Sequence, residues 1–125
     1  MPETRFTPDH EWLRPAEAGA ATVGITTHAQ GLLGDIVFVE LPAPGRVVAA
    51  GEAIATVESV KAASDVFAPV AGRIAAINAA LADDPALVNR DAEGAGWLFS
   101  IVPDDAAALG GLLDRDAYAA LVGAA

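Results

Sequence analysis

Residues 57–66 read VESVKAASDV, and near their centre stands Lys61, the only lysine among 125 residues; the other six basic residues are arginines. Lysine is normally among the commonest residues. A GC-rich coding bias accounts for the arginines but not for the one position that kept lysine. A guanidinium can copy the charge of lysine but not its acylatable primary amine. Small Ala62, Ala63 and Ser64 follow Lys61, and carboxylates stand nearby at Glu58 and Asp65. Such neighbours on a turn leave an amine open to a modifying enzyme. A Schiff-base lysine needs desolvation or a second cation, and this segment offers neither.

Outward from this stretch the chain reads as short strands. ATVGIT (21–26) alternates, with Val23 and Ile25 facing one way and Thr22 and Thr26 the other. DIVFVEL (35–41) is apolar on nearly both faces and reads as a central strand. EAIATVE (52–58), GRIAAIN (72–78) and WLFSIV (97–102) are further strands, separated by turns at LPAPGR, AAGE, APVAGR, ADDP and EGAG. Many short strands with Gly/Pro turns indicate a sandwich or barrel. GRVVAAG from Gly45 and GRIAAIN from Gly72 form a weak repeat on either side of Lys61. Two related halves about a central turn would set Lys61 near a pseudo-twofold axis, at an exposed tip. THAQGLLG (27–34) reads as two helical turns capped by Thr26 or Thr27, and DPALVN (84–89) as at most one. Leu109, Leu112 and Leu113, then Tyr118, Leu121 and Val122, repeat at helical spacing, with Asp114 a candidate N-cap between the two pieces. The expectation is one domain over 1–125 with a C-terminal helical segment over about 104–123.

Composition narrows the function. A chain of this length buries enough surface to fold unaided, and the absence of cysteine excludes disulfides and thiolate–metal sites. Seventeen acidic against seven basic residues give a net charge of −10, which disfavours nucleic acid and anionic lipid. It favours partners with basic patches, or serves solubility alone. MPETRFTPDHEW lacks the apolar core of a signal peptide and the acid-poor character of a transit peptide, so a soluble cytoplasmic chain is expected. Catalytic patterns fail: HEWLR lacks the second histidine of a zinc-protease helix, no serine sits in a G-x-S-x-G elbow, and EGAGWLF precedes a strand pattern. Asp83, Asp84, Asp104 and Asp105 lack metal-loop spacing and read as caps or turns. His10 and His28 read as structural.

ESVKAASD resembles the lipoylation site of the H-protein family of the glycine cleavage system. HEWLR, VGITTHAQGLLGDIVFVELP, APVAGRIAAIN, LADDPALVN and GWLF are similar to segments of that family, in its order and spacing. The resemblance spans nearly the whole chain. It implies a mainly β fold, an antiparallel sandwich of the lipoyl/biotinyl (barrel-sandwich hybrid) type with short helices. It implies lipoate in amide linkage to Lys61, with Glu58, Asp65, Gly45 and Gly72 read by the modifying enzymes, and Glu11 lining a cleft that shelters the loaded arm. It implies a monomeric, non-catalytic carrier with no metal. The partners would be the pyridoxal-phosphate enzyme glycine decarboxylase, a tetrahydrofolate-dependent aminomethyltransferase, dihydrolipoamide dehydrogenase and lipoyl-attaching enzymes. The sequence departs from the family pattern at Thr27, where an acidic residue is common, and in DAEGAGW, which lacks a frequent tyrosine; both bear on partner docking. A biotinyl carrier would have methionines beside the lysine, where Val60 and Ala62 stand. An H-like lipoate donor to other lipoyl domains is the alternative within the resemblance.

Overall fold

The computed structural model describes residues 4–15, 19–105 and 111–123. Among these residues nine strands form two antiparallel sheets. The larger has the order β1-β2-β3-β9-β8-β5 and the smaller the order β4-β6-β7, and neither closes into a barrel. The strands are β1 (Arg5–Phe6), β2 (Glu11–Pro15), β3 (Ala21–Ile25), β4 (Ile36–Glu40), β5 (Val47–Val48), β6 (Ala53–Ser59), β7 (Ala63–Phe67), β8 (Gly72–Ile77) and β9 (Phe99–Pro103). Their inward residues, among them Leu13, Val23, Ile25, Val39, Val57, Val66, Ile74 and Ile101, make one buried cluster between the sheets. Of the sandwich or barrel expected from the turn spacing, the two open sheets are the sandwich.

Alternation along β2 produces a second cluster. Leu13 and Glu11 share the inner face, whereas Trp12 turns outward and joins Phe6 and Tyr118. Phe6 and Tyr118 stack with ring centroids 4.7 Å apart, and Arg115 lies over the Phe6 ring. This outer cluster is covered by the helix α4 (Arg115–Gly123), whose first turn is capped as expected: Asp114 Oδ1 accepts from the Ala117 N–H. Of the expected helical tail over about 104–123, the described residues form the helix over Arg115–Gly123. Leu112 and Leu113 lie outside it, because Leu113 exchanges two backbone hydrogen bonds with Phe6 and extends the β1 edge. Leu109 lies outside the described residues.

Among the described residues three helices fall before β9. α1 (Thr27–Leu33) is capped by the Thr26 hydroxyl, and single turns α2 (Ala80–Asp83) and α3 (Leu87–Arg90) follow β8. The ADDP segment thus begins inside a helical turn that the residue pattern did not disclose. DIVFVEL also differs from expectation. β4 lies at the edge of the small sheet, pairing only with β6, and Val37 and Phe38 face solvent. Its second apolar face has no layer upon it.

The two GR segments pair with each other. Val47 faces Arg73 and Val48 faces Gly72, while Gly45 and Arg46 exchange backbone bonds with Ile74. The hairpin of β6 and β7, in the smaller sheet, keeps nearly the same antiparallel register: in both pieces the paired residue numbers add to 120 or 121. The two GR segments thus flank a chain that folds back on itself at Val60 and Lys61.

Candidate functional site

Lys61 is exposed at the tip of the β6–β7 hairpin. The loop has two residues, Val60 and Lys61, closed by the Ser59 N–H donating to the Ala62 carbonyl at 2.7 Å. Two-residue loops usually adopt primed turns that need positive φ, and hence Asn or Gly. Here His10 is the only non-glycine residue with positive φ among the described residues, so the tip is of another kind. Ser59 holds it instead. Its hydroxyl accepts from the Ala62 N–H (3.0 Å) and the Lys61 N–H (3.3 Å), and it donates to the Ala62 carbonyl (3.0 Å). A side-chain clamp frees the loop from glycine, so a lysine can occupy its apex. Ser59 was missed from sequence; its signal is a serine two positions before Lys61, a spacing at which hydroxyls bond to backbone.

The tip also has a floor. The Val60 N–H donates to the Asp35 carbonyl at 3.1 Å. The lysine stem passes over Gly34, where a methyl group would lie 3.8 Å from Lys61 Cε. The corner between α1 and β4 is pinned by Asn89 of α3, which donates to the Gly34 carbonyl and accepts from the Ile36 N–H, both at 2.8 Å. Asn89 lies in the segment LADDPALVN, but nothing in its spacing disclosed that role. Among the described residues Lys61 makes no ion pair. Its amine is accessible and positioned by backbone on two sides, a geometry suited to acyl transfer onto nitrogen.

The other expected residues fall in three places. Glu58 and Asp65 are exposed on the hairpin; Ala63 stands opposite Glu58, and Asp65 accepts from the Thr56 hydroxyl at 3.4 Å. Gly45 and Gly72 lie beyond the base of the hairpin, in the ladder just described, and are not brought to the tip. Gly45 has φ +89, and a Cβ on Gly72 would stand 2.2 Å from the Val102 carbonyl oxygen. Both glycines are therefore demanded by backbone geometry.

Glu11 differs most from expectation. It is 2% exposed, and it does not line an open cleft in this structure. One carboxylate oxygen accepts from the Phe67 N–H at 2.7 Å and the other from the Thr7 hydroxyl at 3.0 Å. Glu11 thus ties β2 of the large sheet to the end of β7 in the small one. Burial pushes its carboxyl from the ordinary 4.5 up to about 7, against the lowering effect of the bonds from Phe67 and Thr7. Trp12 is fully buried on the opposite side and donates to the Ala92 carbonyl at 2.9 Å. An apolar cleft of about 500 Å3 does exist, between α1 and α4, but it is lined by Pro8, His10, His28, Leu32, Leu121 and Val122.

His10 is tied into the fold. It has φ 68, its Nδ1 lies 2.7 Å from the Tyr118 hydroxyl, and burial together with nearby His28 lowers its pKa. Tyr118 also meets the Thr26 hydroxyl at 2.8 Å, so this network links α4 to the cap of α1. At Thr27, where the resembling family commonly has an acid, the backbone N–H instead receives a carboxylate from a distance, Glu93 at 2.9 Å.

A hairpin lysine on a lipoyl-type sandwich is compatible with several carriers, and comparison with known proteins separates them. The family model for glycine cleavage H-protein matches residues 4–124. The chain belongs to that family. It is 59% identical over 122 residues to the glycine cleavage system H protein of Acidiphilium cryptum, covering 98% of both chains. It is 54% identical over 120 residues to that of Shewanella loihica, covering 96% of this chain and 93% of the relative. The crystal structure of a glycine cleavage system H protein from Mycobacterium marinum superposes with a TM-score of 0.88 at 43% identity, covering 98% of each chain. An H-protein fold thus accounts for both sheets and the hairpin together. Among the described residues no helix is long and apolar enough to cross a membrane.

Proposed function

We propose that this H-protein is the lipoyl-bearing shuttle of glycine cleavage and that Lys61 Nζ is the attachment point. The observation that carries this reading is the clamped two-residue tip. The only lysine of the chain sits at the apex of the β6–β7 hairpin, with its amine free of ion pairs among the described residues. The lipoyl group supplies the disulfide–dithiol chemistry that takes up an aminomethyl group and releases it. The residues of the chain do the rest. Ser59 and the Asp35 carbonyl hold the tip, so the amine is presented rather than buried. Attachment at a fixed apex keeps the arm's effective concentration high at each partner site.

The partners of this reading are glycine decarboxylase, the tetrahydrofolate-dependent aminomethyltransferase, dihydrolipoamide dehydrogenase and the lipoyl-attaching enzymes. The protein is a carrier rather than a catalyst, a cytoplasmic monomer in this reading, and Glu58 and Asp65 are the exposed carboxylates flanking the amine for enzyme recognition. Glu11 fastens the sheets to each other. An arm that reached its carboxylate would have to displace the Phe67 or Thr7 bond.

The test is exchange of label between bicarbonate and the glycine carboxyl, catalysed by glycine decarboxylase with the lipoylated protein as cosubstrate. Wild-type protein supports exchange and Lys61→Arg does not, while both melt at the same temperature. Exchange supported equally by Lys61→Arg overturns the assignment.

A further inference from the structure

We propose that the outward face of the three-stranded sheet is the surface on which the acylating enzyme docks, with Phe38 as its apolar anchor and Glu40, Glu58 and Asp65 as its charged rim. This rests on the reading of Lys61 as the acyl acceptor. The strand register builds the face in two rows. Phe38 stands opposite Glu58, which stands opposite Ala63; one step further from the tip, Glu40, Thr56 and Asp65 stand side by side. The other face of the same strands carries Val39, Val57 and Val66 into the core. The outward rows are solvent-facing, and Phe38 is 51% exposed.

A half-exposed aromatic on an uncovered sheet face contributes little to the fold, whereas aromatic side chains dominate the energetics of recognition. Charge points to the kind of partner. None of Glu40, Glu58 or Asp65 forms an ion pair among the described residues. The three carboxylates surround the edge of an apolar side chain, next to one amine. The complementary surface is an apolar socket ringed by Arg or Lys.

Distance points to the acylating enzyme rather than the enzymes that use the arm. Amide formation requires the donor's carbonyl carbon to meet Lys61 Nζ itself. The bond to the donor's leaving group, a thiolate or AMP, breaks with its electron pair, and the ammonium sheds two protons. The enzyme surface must therefore lie against the hairpin. Enzymes acting at the far end of the arm engage several bonds away and need not touch this face. The area is modest, as suits a transient encounter.

The test uses the unmodified protein with a lipoate–protein ligase, lipoate and ATP, and measures steady-state acylation. For Phe38→Ala, KM rises about tenfold or more with kcat within about twofold, the loss expected of an interface anchor. Phe38→Tyr, which keeps the ring, stays near wild type. Val47→Ala, at an apolar position 72% exposed in the other sheet, is the control and leaves KM unchanged. Glu40→Gln weakens the dependence of kcat/KM on salt. An unchanged KM in Phe38→Ala overturns the proposal. So does a wild-type dimer that Phe38→Ala dissociates while KM holds, since the face would then serve a second copy. If wild-type protein gains no lipoyl mass, the acceptor reading itself falls; if it does and Phe38→Ala keeps its KM, only the docking face falls.

Discussion

Replacing Glu11 by Gln should stabilise this protein at alkaline pH and do little in acid. The carboxyl is buried between β2 and β7, and its pKa is raised from 4.5 to about 7. The folded state thus holds the proton more tightly than the unfolded chain. Stability from this site is fully present below pH 4.5 and is lost as pH rises through 7. The difference corresponds to about 3 kcal/mol overall, of which about 2–3 kcal/mol is lost between pH 5 and pH 8.5. Gln keeps the size and an oxygen that can accept from the Phe67 N–H, and its amide can donate to the Thr7 hydroxyl. It removes the titration and reverses the Thr7 bond, and the second change is the same at every pH. Urea unfolding of both proteins at pH 5 and pH 8.5, followed by far-ultraviolet circular dichroism, isolates the effect, because His10 and every other titrating group are common to both. The variant's lead over wild type should grow by about 2–3 kcal/mol between the two pH values, on the order of 1–2 M in urea midpoint. If wild type instead gains on the variant as pH rises, the carboxylate is favourably ionised in the fold and the reasoning fails.

Two further substitutions test the hairpin and its foundation. Ser59→Ala removes three hydrogen bonds from the tip and should cost about 1–2 kcal/mol, with a slower rate of acylation at Lys61; thermal melts and acylation kinetics read both effects, and an acylation rate equal to wild type would show that the clamp does not present the amine. Gly72→Ala forces a methyl group to within 2.2 Å of the Val102 carbonyl unless the strands part, so β8 must separate locally from β9; a loss of about 2–3 kcal/mol in denaturant titration is expected, and no loss would mean the ladder yields more easily than its register indicates.

Much of this architecture was legible because it rests on short-range patterning. The alternation of Val23 and Ile25, the turns between strands, the cap at Thr26 or Thr27 and the two GR segments each carry local information, and the last flanked the hairpin that bears Lys61. What was not legible depends on which layers cover which faces. DIVFVEL is apolar on both sides whether central or at an edge; only the tertiary structure reveals that one side of β4 is left bare. Leu112 and Leu113 have helical spacing, yet Phe6, more than a hundred residues away, captures Leu113 as a strand partner. Nothing in HEW discloses that Glu11 is buried, and the family resemblance put it in a cleft. Its burial follows from sharing a face with Leu13, opposite the end of β7. Ser59 and Asn89 act through backbone groups, which leave no mark on composition or periodicity.

The most direct test of the central claim is the intact mass of the protein after incubation with lipoate, ATP and a lipoate–protein ligase, followed by peptide mapping. The account predicts a gain of one lipoyl group per chain, found on the peptide containing Lys61 and absent from Lys61→Arg. A chain that gains no mass, or carries the group anywhere other than Lys61, contradicts it.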